Sequence, residues 1–342
     1  MDKKIFIPFT ILIMMMALIS GTVSAASFFE GKTIRIIVGT TAGGGFDTYS
    51  RAISRHWGRH IPGNPTVIVE NMPGAGGLIA CKYLYSAASP DGLAIGNFNS
   101  AQIMAQIFGR EGVEFDARKF EWIGVPVKSN VVCALVKKKG VTNVEQWLAS
   151  KTPVKIGGMS AGNTTCDVPR VLHEALGLPI HLVEGYKGSA EIRLAAESGE
   201  VAGGCWQWES IQVTWGKGIQ SGDVVVVLQA TDKPLPDLPK VPLAVNLAKT
   251  EEAKELIKAG ITDPASITRL YCLPPATPEE RVQTLRKSFQ DTLKDPRFLE
   301  EAKKSKLDVD PLTGQEVEKI IRSLFSLKKS TVARLNAIMY PK

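Results

Sequence analysis

The stretch Thr33-Ile-Arg-Ile-Ile-Val38, followed by Thr40-Thr-Ala-Gly-Gly-Gly45 and Phe46-Asp-Thr-Tyr-Ser-Arg-Ala-Ile-Ser-Arg-His-Trp57, decides how the rest of the chain is read. The first six residues form a short β-branched run, the signature of a strand. Three consecutive glycines then allow a tight turn and close backbone approach. Beyond them Tyr49, Ala52, Ile53 and Trp57 recur at helical steps. The unit is strand, glycine loop, helix. It exposes the first amides of a helix beside a loop without side chains, a geometry suited to anions.

The pattern repeats outward. Thr66–Val69 is a second strand after the turn Pro62-Gly-Asn-Pro65. Met72-Pro-Gly-Ala-Gly-Gly77 opens a helix running to about Ala88, and Leu93–Ile95 is a third strand after the turn Pro90-Asp-Gly92. Further on, the spacing predicts strands at 131–136, 154–156, 180–183, 201–204 and 224–228, with helices at 144–149, 168–176 and 190–198. Helices then dominate, at 251–259, 278–293 and 314–338. Strands alternating with helices predict an α/β fold with largely parallel sheets. Pro234, Pro236, Pro239 and Pro242 read as a stiff crossover. The partition expected is 1–25 as a leader, 26–125 plus 230–342 as one lobe, and 126–229 as the other. Hinges are placed near Pro126 and in the proline-rich run, with a ligand cleft between the lobes.

The leader is read from Lys3-Lys4, an uncharged apolar run over Ile5–Ile19, and small residues ending at Val23-Ser-Ala-Ala26. That is the layout of a cleaved secretory signal, with the cut after Ala25. The apolar run is shorter than a membrane span needs. The remainder, 44% hydrophobic and 22% charged in the whole chain, has the composition of an ordinary folded protein. A net charge of +7 favours anionic ligands over cationic ones. Basic residues are scattered apart from Lys137-Lys-Lys139, and no nucleic-acid module is found.

A second loop matches the first in character. Gly157–Thr165 follows a strand and precedes a helix, and it carries Ser160, Asn163, Thr164 and Thr165. These can donate to a carboxylate. The same loop contains Gly158-Met-Ser-Ala-Gly162, which fits the nucleophile elbow of serine hydrolases. Catalysis there needs a histidine after the acid, and only His173 and His181 follow, both close by. A secreted hydrolase using Ser160 is therefore the alternative reading. His56 and His60 share a helix face, but Trp57 stands where a zinc hydrolase needs Glu, so a solvated face is expected. No metal or cofactor motif is found. The five cysteines at 81, 133, 166, 205 and 272 contain no CxxC, and their pairing stays open. Trp206 and Trp208 follow a short strand and share a side by alternation. They either wall the cleft or belong to the core of the second lobe.

With these residues in place, the chain resembles the tripartite tricarboxylate transporter solute receptors, the Bug-type or TctC-like periplasmic binding proteins. The resemblance rests on Ile34–Val38, on Ala42-Gly-Gly-Gly45 with Asp47 and Arg51, and on Val67-Ile-Val-Glu-Asn71 with Pro73-Gly-Ala-Gly-Gly77. It continues through Ser89-Pro-Asp-Gly92 and Tyr186-Lys-Gly-Ser-Ala190. It implies a two-lobe periplasmic-binding-protein fold of the type II class, closing on a small carboxylate. The implied ligand-binding set is Ala42, Gly43, Gly44, Gly45, Phe46 and Asp47 in one loop and Ser160, Ala161, Gly162, Asn163 and Thr164 in the other. Asn99, Ser100, Tyr186, Lys187, Trp206 and Trp208 complete it. The implied partners are a large and a small integral membrane permease subunit, with the receptor a periplasmic monomer. A third reading has the same receptor presenting its ligand to a signalling protein. Phe46, Gly185 and Met72 depart from the family's usual residues, and Phe46 with the two tryptophans suggests a pocket more apolar than citrate would favour.

Overall fold

The computed structural model describes residues 28–341, so the expected leader at 1–25 lies outside the described residues. Strands are β1 Thr33–Val38, β2 Thr66–Asn71, β3 Ala94–Phe98, β4 Glu121–Val125, β5 Val131–Val136, β6 Val154–Gly157, β7 Ile180–Val183, β8 Gly203–Gln207, β9 Val224–Ala230, β10 Leu270–Leu273 and β11 Leu312–Thr313. Helices are α1 Gly45–Trp57, α2 Leu78–Ser86, α3 Ala101–Ile107, α4 Val144–Leu148, α5 Thr164–Leu176, α6 Ser189–Ser198 and α7 Trp208–Ser221. Then follow α8 Ala244–Leu247, α9 Glu251–Ile257, α10 Asp263–Ser266, α11 Glu279–Lys294, α12 Pro296–Lys304, α13 Gly314–Phe325 and α14 Lys329–Met339.

Two sheets organise these elements. The first has the order β11-β4-β10-β3-β1-β2 and the second β7-β6-β8-β5-β9. The largely parallel sheets expected from the strand–helix alternation are in fact mixed. β1 runs parallel to β2 and β3, and β6 parallel to β7 and β8. β10 is antiparallel to both β3 and β4, and β5 to both β8 and β9. Each of these strands is the first after the chain changes sheet, so neither is bound by a right-handed strand–helix–strand connection. All six residues of β5 are buried, as a strand flanked on both edges and covered on both faces requires. Cys133 of β5 faces Cys205 of β8 in register and forms a disulfide with it, while Cys81, Cys166 and Cys272 are buried thiols.

α1 is anchored to the first sheet by its apolar face. Trp57 is fully buried between Tyr271 and Phe289, and its Nε1 donates to Ser288 Oγ at 2.9 Å. Truncating such a side chain costs about 3–5 kcal/mol. This packing holds the glycine loop at the N-terminus of α1 in a fixed place. His56 is not solvated: it is buried, bonds Glu301 through Nε2 at 2.7 Å and meets the Phe298 ring edge-on. His60 pairs similarly with Asp295.

The chain from 230 onward is shared between the lobes, which revises the assignment of 230–342 to the first. Gly260 lies against Val171 of α5 and against Leu335 and Met339 of α14. Arg334 of α14 bonds Glu174 of α5 and Glu252 of α9, and Arg170 of α5 donates to the Met339 carbonyl. Helices α9 and α14 therefore pack on the second sheet's α5. The proline-rich run stays beside β9, where Gln229 bonds the Leu238 and Val241 carbonyls. The return to the first sheet comes at Ile267–Arg269, directly before β10. The long C-terminal helix expected at 314–338 is broken into α13 and α14 by a bend at Ser326–Lys328, where α13 leaves β4 and α14 turns to α5.

Candidate functional site

The glycine loop ends at Gly44, which caps α1 in extended backbone with φ −79°. Gly43 has φ +83°, a conformation that glycine adopts without strain. Its N–H donates to Asp47 Oδ2 at 2.8 Å. Asp47 is 3% exposed and also accepts from Arg51 Nε at 2.9 Å and from Asn71 Nδ2 at 3.0 Å. Its burial would raise the carboxyl, but Arg51, the Gly43 amide and Asn71 together hold it below the usual carboxylate range. The Asp47 side chain is thus an inward clamp on the loop, and of this residue the backbone amide is what is left to face a ligand. The amides of Gly45, Phe46 and Asp47, at the first turn of α1, have no acceptor among the described residues.

The second loop is built on a similar plan. Gly162, φ +80°, donates to Asp167 Oδ1 at 3.0 Å. Asn163 caps α5 through its side chain, which accepts from the Thr165 amide at 3.1 Å. Its Oδ1 also accepts the Thr165 hydroxyl, and that hydroxyl accepts the Met159 amide. The helix therefore starts at Thr164, four residues earlier than the sequence pattern indicates, and Thr165 is a capping residue. Thr164 accepts Gln207 Nε2 at 3.3 Å and keeps its own O–H to donate. Ser160 is exposed and its hydroxyl bonds nothing among the described residues. No histidine meets it: His173 bonds the Leu178 carbonyl instead.

A cavity of about 100 Å³ lies between the lobes. Asn99, Ser100 and Ala101 line it from the first sheet, and Gly162, Asn163 and Thr164 from the second. Thr268 and Tyr340 also border it. The structure thus brings Asn99 and Ser100 to the second loop. Ser100 Oγ is committed to the Pro264 carbonyl at 2.7 Å, so Asn99 is the stronger donor of the two. The volume is below the range usual for ligand pockets. The Gly43–Gly45 loop is exposed and does not line this cavity.

Five other members of the expected set are placed elsewhere. Trp206 is 2% exposed and stacks on Trp215 with ring centroids 5.6 Å apart, in the core of the second lobe. Trp208 is the first residue of α7 rather than part of a strand, so alternation does not apply to it; its Nε1 points to Asp237 at 3.5 Å. Tyr186 donates its hydroxyl to Glu200 at 2.7 Å. Lys187 is exposed. Phe46 is half-buried and packs into the first lobe's core, its ring 5.7 Å from the Arg269 guanidinium.

Arg269 is the residue that local sequence reasoning missed. It stands on the Ile267–Arg269 crossover, with a side chain 13% exposed. Nη1 donates to Ser129 Oγ at 2.8 Å, and lies 3.6 Å from Glu209 Oε1. The guanidinium also stands over Tyr49, 4.9 Å from its ring centre. Among the described residues Nε is buried without a hydrogen-bond partner, as are Thr40 Oγ1 and Asn97 Oδ1. The loop sequence held no arginine, and the signal lies more than 200 residues away in the chain.

Residues 59–337 match the model of the family described as "Tripartite tricarboxylate transporter family receptor". A solute-binding protein of the same family from Polaromonas superposes with a TM-score of 0.70 at 16% identity, over 89% of this chain and 98% of that one. A Rhodopseudomonas palustris protein solved with adipate superposes with a TM-score of 0.62 at 17% identity, over 90% of this chain and 97% of that one. In sequence, the chain is 41% identical over 70 residues to a UPF0065 protein of Cupriavidus necator. That match spans 20% of the relative's own length.

Proposed function

The chain belongs to the tripartite tricarboxylate transporter receptor family, and we propose on that footing that it captures a small organic carboxylate between its lobes. Members of the family and its fold neighbours are solute-binding proteins, not enzymes. One observation carries the ligand class. Each sheet contributes a glycine-bearing loop at a helix N-terminus; the first-turn amides of α1 are unpaired among the described residues, while in α5 the Thr165 and Cys166 amides are held by Asn163 and the helix end keeps its positive pole, so both sides of the cleft favour negative charge. In this reading the amides of Gly44–Asp47 hold one end of the ligand. Ser160, Asn163, Thr164 and Asn99 hold the other, while Asp47 and Asp167 keep the loops in shape. The ligand bound to the R. palustris protein, a dicarboxylate, is of the same chemistry. A ligand of that length would extend from the small cavity toward the glycine loop.

The receptor would act in the periplasm as a monomer and hand its ligand to a permease with a large and a small integral subunit. The hydrolase reading finds no support at Ser160, which lacks a base. A thermal-shift screen of mono-, di- and aromatic carboxylates tests the proposal. A true ligand at a hundredfold excess over Kd should stabilise the protein by about 2.7 kcal/mol. Gly44→Val is the decisive variant. The backbone at Gly44 is extended, and a Cβ there meets nothing nearer than the Thr41 carbonyl at 3.7 Å, so the variant should fold. Its branched side chain should block the amides, and affinity should drop by about a hundredfold or more, roughly the loss of two charged hydrogen bonds. Full affinity in this variant would place the ligand elsewhere.

A further inference from the structure

We propose that Arg269 is the charged anchor of the cleft, taking one carboxylate of a dicarboxylate ligand, with Glu209 as the internal carboxylate that holds its place when the cleft is empty. The proposal rests on the carboxylate reading above and deepens it. A guanidinium offers its N–H groups in a rigid fork, and two edges of that fork can take a carboxylate bidentately. Here Nη1 is engaged by Ser129 and faces Glu209. The Nε–Nη2 edge is the one left over, and Nε on it is buried with no partner. Buried donors are almost always paired in folded proteins, so an unpaired guanidinium N–H at a cleft marks a place where an acceptor is missing.

That edge looks at the glycine loop. A Cβ built on Gly45 would lie 3.4 Å from Nη2 and 4.0 Å from Nε. Glycine at this position therefore puts no side chain of its own against the edge. Gly45 is the first residue of α1, so a carboxylate there would meet a guanidinium beside a helix N-terminus. Tyr49 and Phe46 back the guanidinium and fix its plane. Thr268 lines the interlobe cavity and precedes Arg269 directly, which makes the two ends of the site contiguous. A ligand carrying a carboxylate at each end would place one at Arg269 and the other at the cavity. Glu209 comes from the second lobe, sharing Ser129 with Arg269 through a bond of 3.2 Å. It keeps the guanidinium from being a buried lone charge in the empty cleft, and it competes with the ligand for it.

Calorimetry with succinate, glutarate and adipate, each beside its monoamide, tests this. The wild type should prefer a diacid to its monoamide by about tenfold or more, the worth of a hydrogen-bonded charge pair. Arg269→Gln should erase that preference, lowering diacid affinity more than monoamide affinity. Arg269→Lys should restore part of it, because the charge returns without the fork. Glu209→Gln should tighten the diacid, because the competing internal carboxylate is gone. Circular dichroism melts establish that each variant is folded, and the Lys variant carries the test should the Gln variant fail to fold. A preference that survives in Arg269→Gln overturns the proposal, as does a Glu209→Gln variant that weakens binding as much as Arg269→Gln. A wild type that binds monoamides as tightly as diacids overturns the Arg269 assignment alone. A wild type that binds none of the six compounds, nor any carboxylate in the wider screen, overturns the carboxylate reading beneath it.

Discussion

The loop at Gly43 and the loop at Gly162 use the same device and end in different electrostatic states. In each, a glycine at positive φ donates its amide to an aspartate just inside the following helix. In the first loop the aspartate is Asp47, with Arg51 at 2.9 Å and Asn71 as further partners, and its charge is secured. In the second it is Asp167, whose nearest cation, Arg170, is 3.9 Å away. Burial pushes Asp167 up to about 7, against the Gly162 amide and Arg170, while Glu184 adds to the rise. Tyr340 faces it from the chain's end, its hydroxyl 2.7 Å from where a Cβ on Gly162 would stand. A glycine loop thus needs an internal acceptor for its turn amide, but not a permanently charged one. Where the loop is open to solvent the acceptor is ion-paired, and where it is roofed the acceptor titrates.

The largest effect expected from this contrast is on folding of the first loop. Asp47→Ala removes the acceptor for Gly43, Asn71 and Arg51 at once. It should cost about 3 kcal/mol of stability at neutral pH, since hydrogen bonds to a charged group are worth roughly 1.5–3 kcal/mol and these partly overlap. Because the Asp47 carboxyl is held below its unfolded value, that stability is present above the unfolded range and lost as pH falls through the folded one. Denaturant unfolding at pH 7 and at pH 3 should show the gap between wild type and variant closing in acid. A gap unchanged at pH 3 would mean that the clamp works by packing rather than by charge.

Asp167→Asn is the next test, and its sign is opposite. A carboxyl raised in the folded state binds its proton more tightly folded than unfolded, so wild-type stability should fall as pH rises from about 4 to about 7. Asparagine keeps an oxygen for the Gly162 amide and has no charge to bury. The variant should gain on the wild type across that window, by about 2 kcal/mol at pH 8, half of what the full rise to about 7 corresponds to. Equal pH profiles would put Asp167 in the same class as Asp47 and remove the contrast.

How far the two loops could be read from the sequence follows from where their partners lie. Strand, glycine loop and helix are local patterns, so β1 with α1 and the start of the second loop were legible. Thr33–Val38, Val131–Val136 and Ile180–Val183 match the predicted strands residue for residue. β4 and β10 were not seen. β10 is four buried residues, Leu270–Leu273, without alternation and next to prolines, so it has no period to detect. Missing β10 also hid Arg269, whose role depends on Ser129, Glu209 and Gly45 from distant parts of the chain. The common side expected for Trp206 and Trp208 by alternation does not hold, for a different reason. The change from strand to helix falls between them, and a period of two does not cross it.

The smallest effect separates the hydroxyls of the second loop from the backbone of the first. Ser160 is exposed and bonds nothing in the empty site, so removing its hydroxyl leaves no buried group unsatisfied and should not alter stability. If Ser160 donates to the bound carboxylate, Ser160→Ala loses a single hydrogen bond, and water can replace part of it. Affinity should fall by about 1 kcal/mol, near fivefold, far less than in Gly44→Val. The difference follows from geometry. A glycine-loop variant blocks several amides that α1 holds in fixed directions, whereas a serine variant removes a rotor that the chain leaves free. Calorimetry on the two variants with the same ligand measures the gap. A Ser160→Ala loss as large as that of Gly44→Val would move the ligand's main anchor to the second lobe. It would also make the roofed loop, with its titrating aspartate, the more important half of the site.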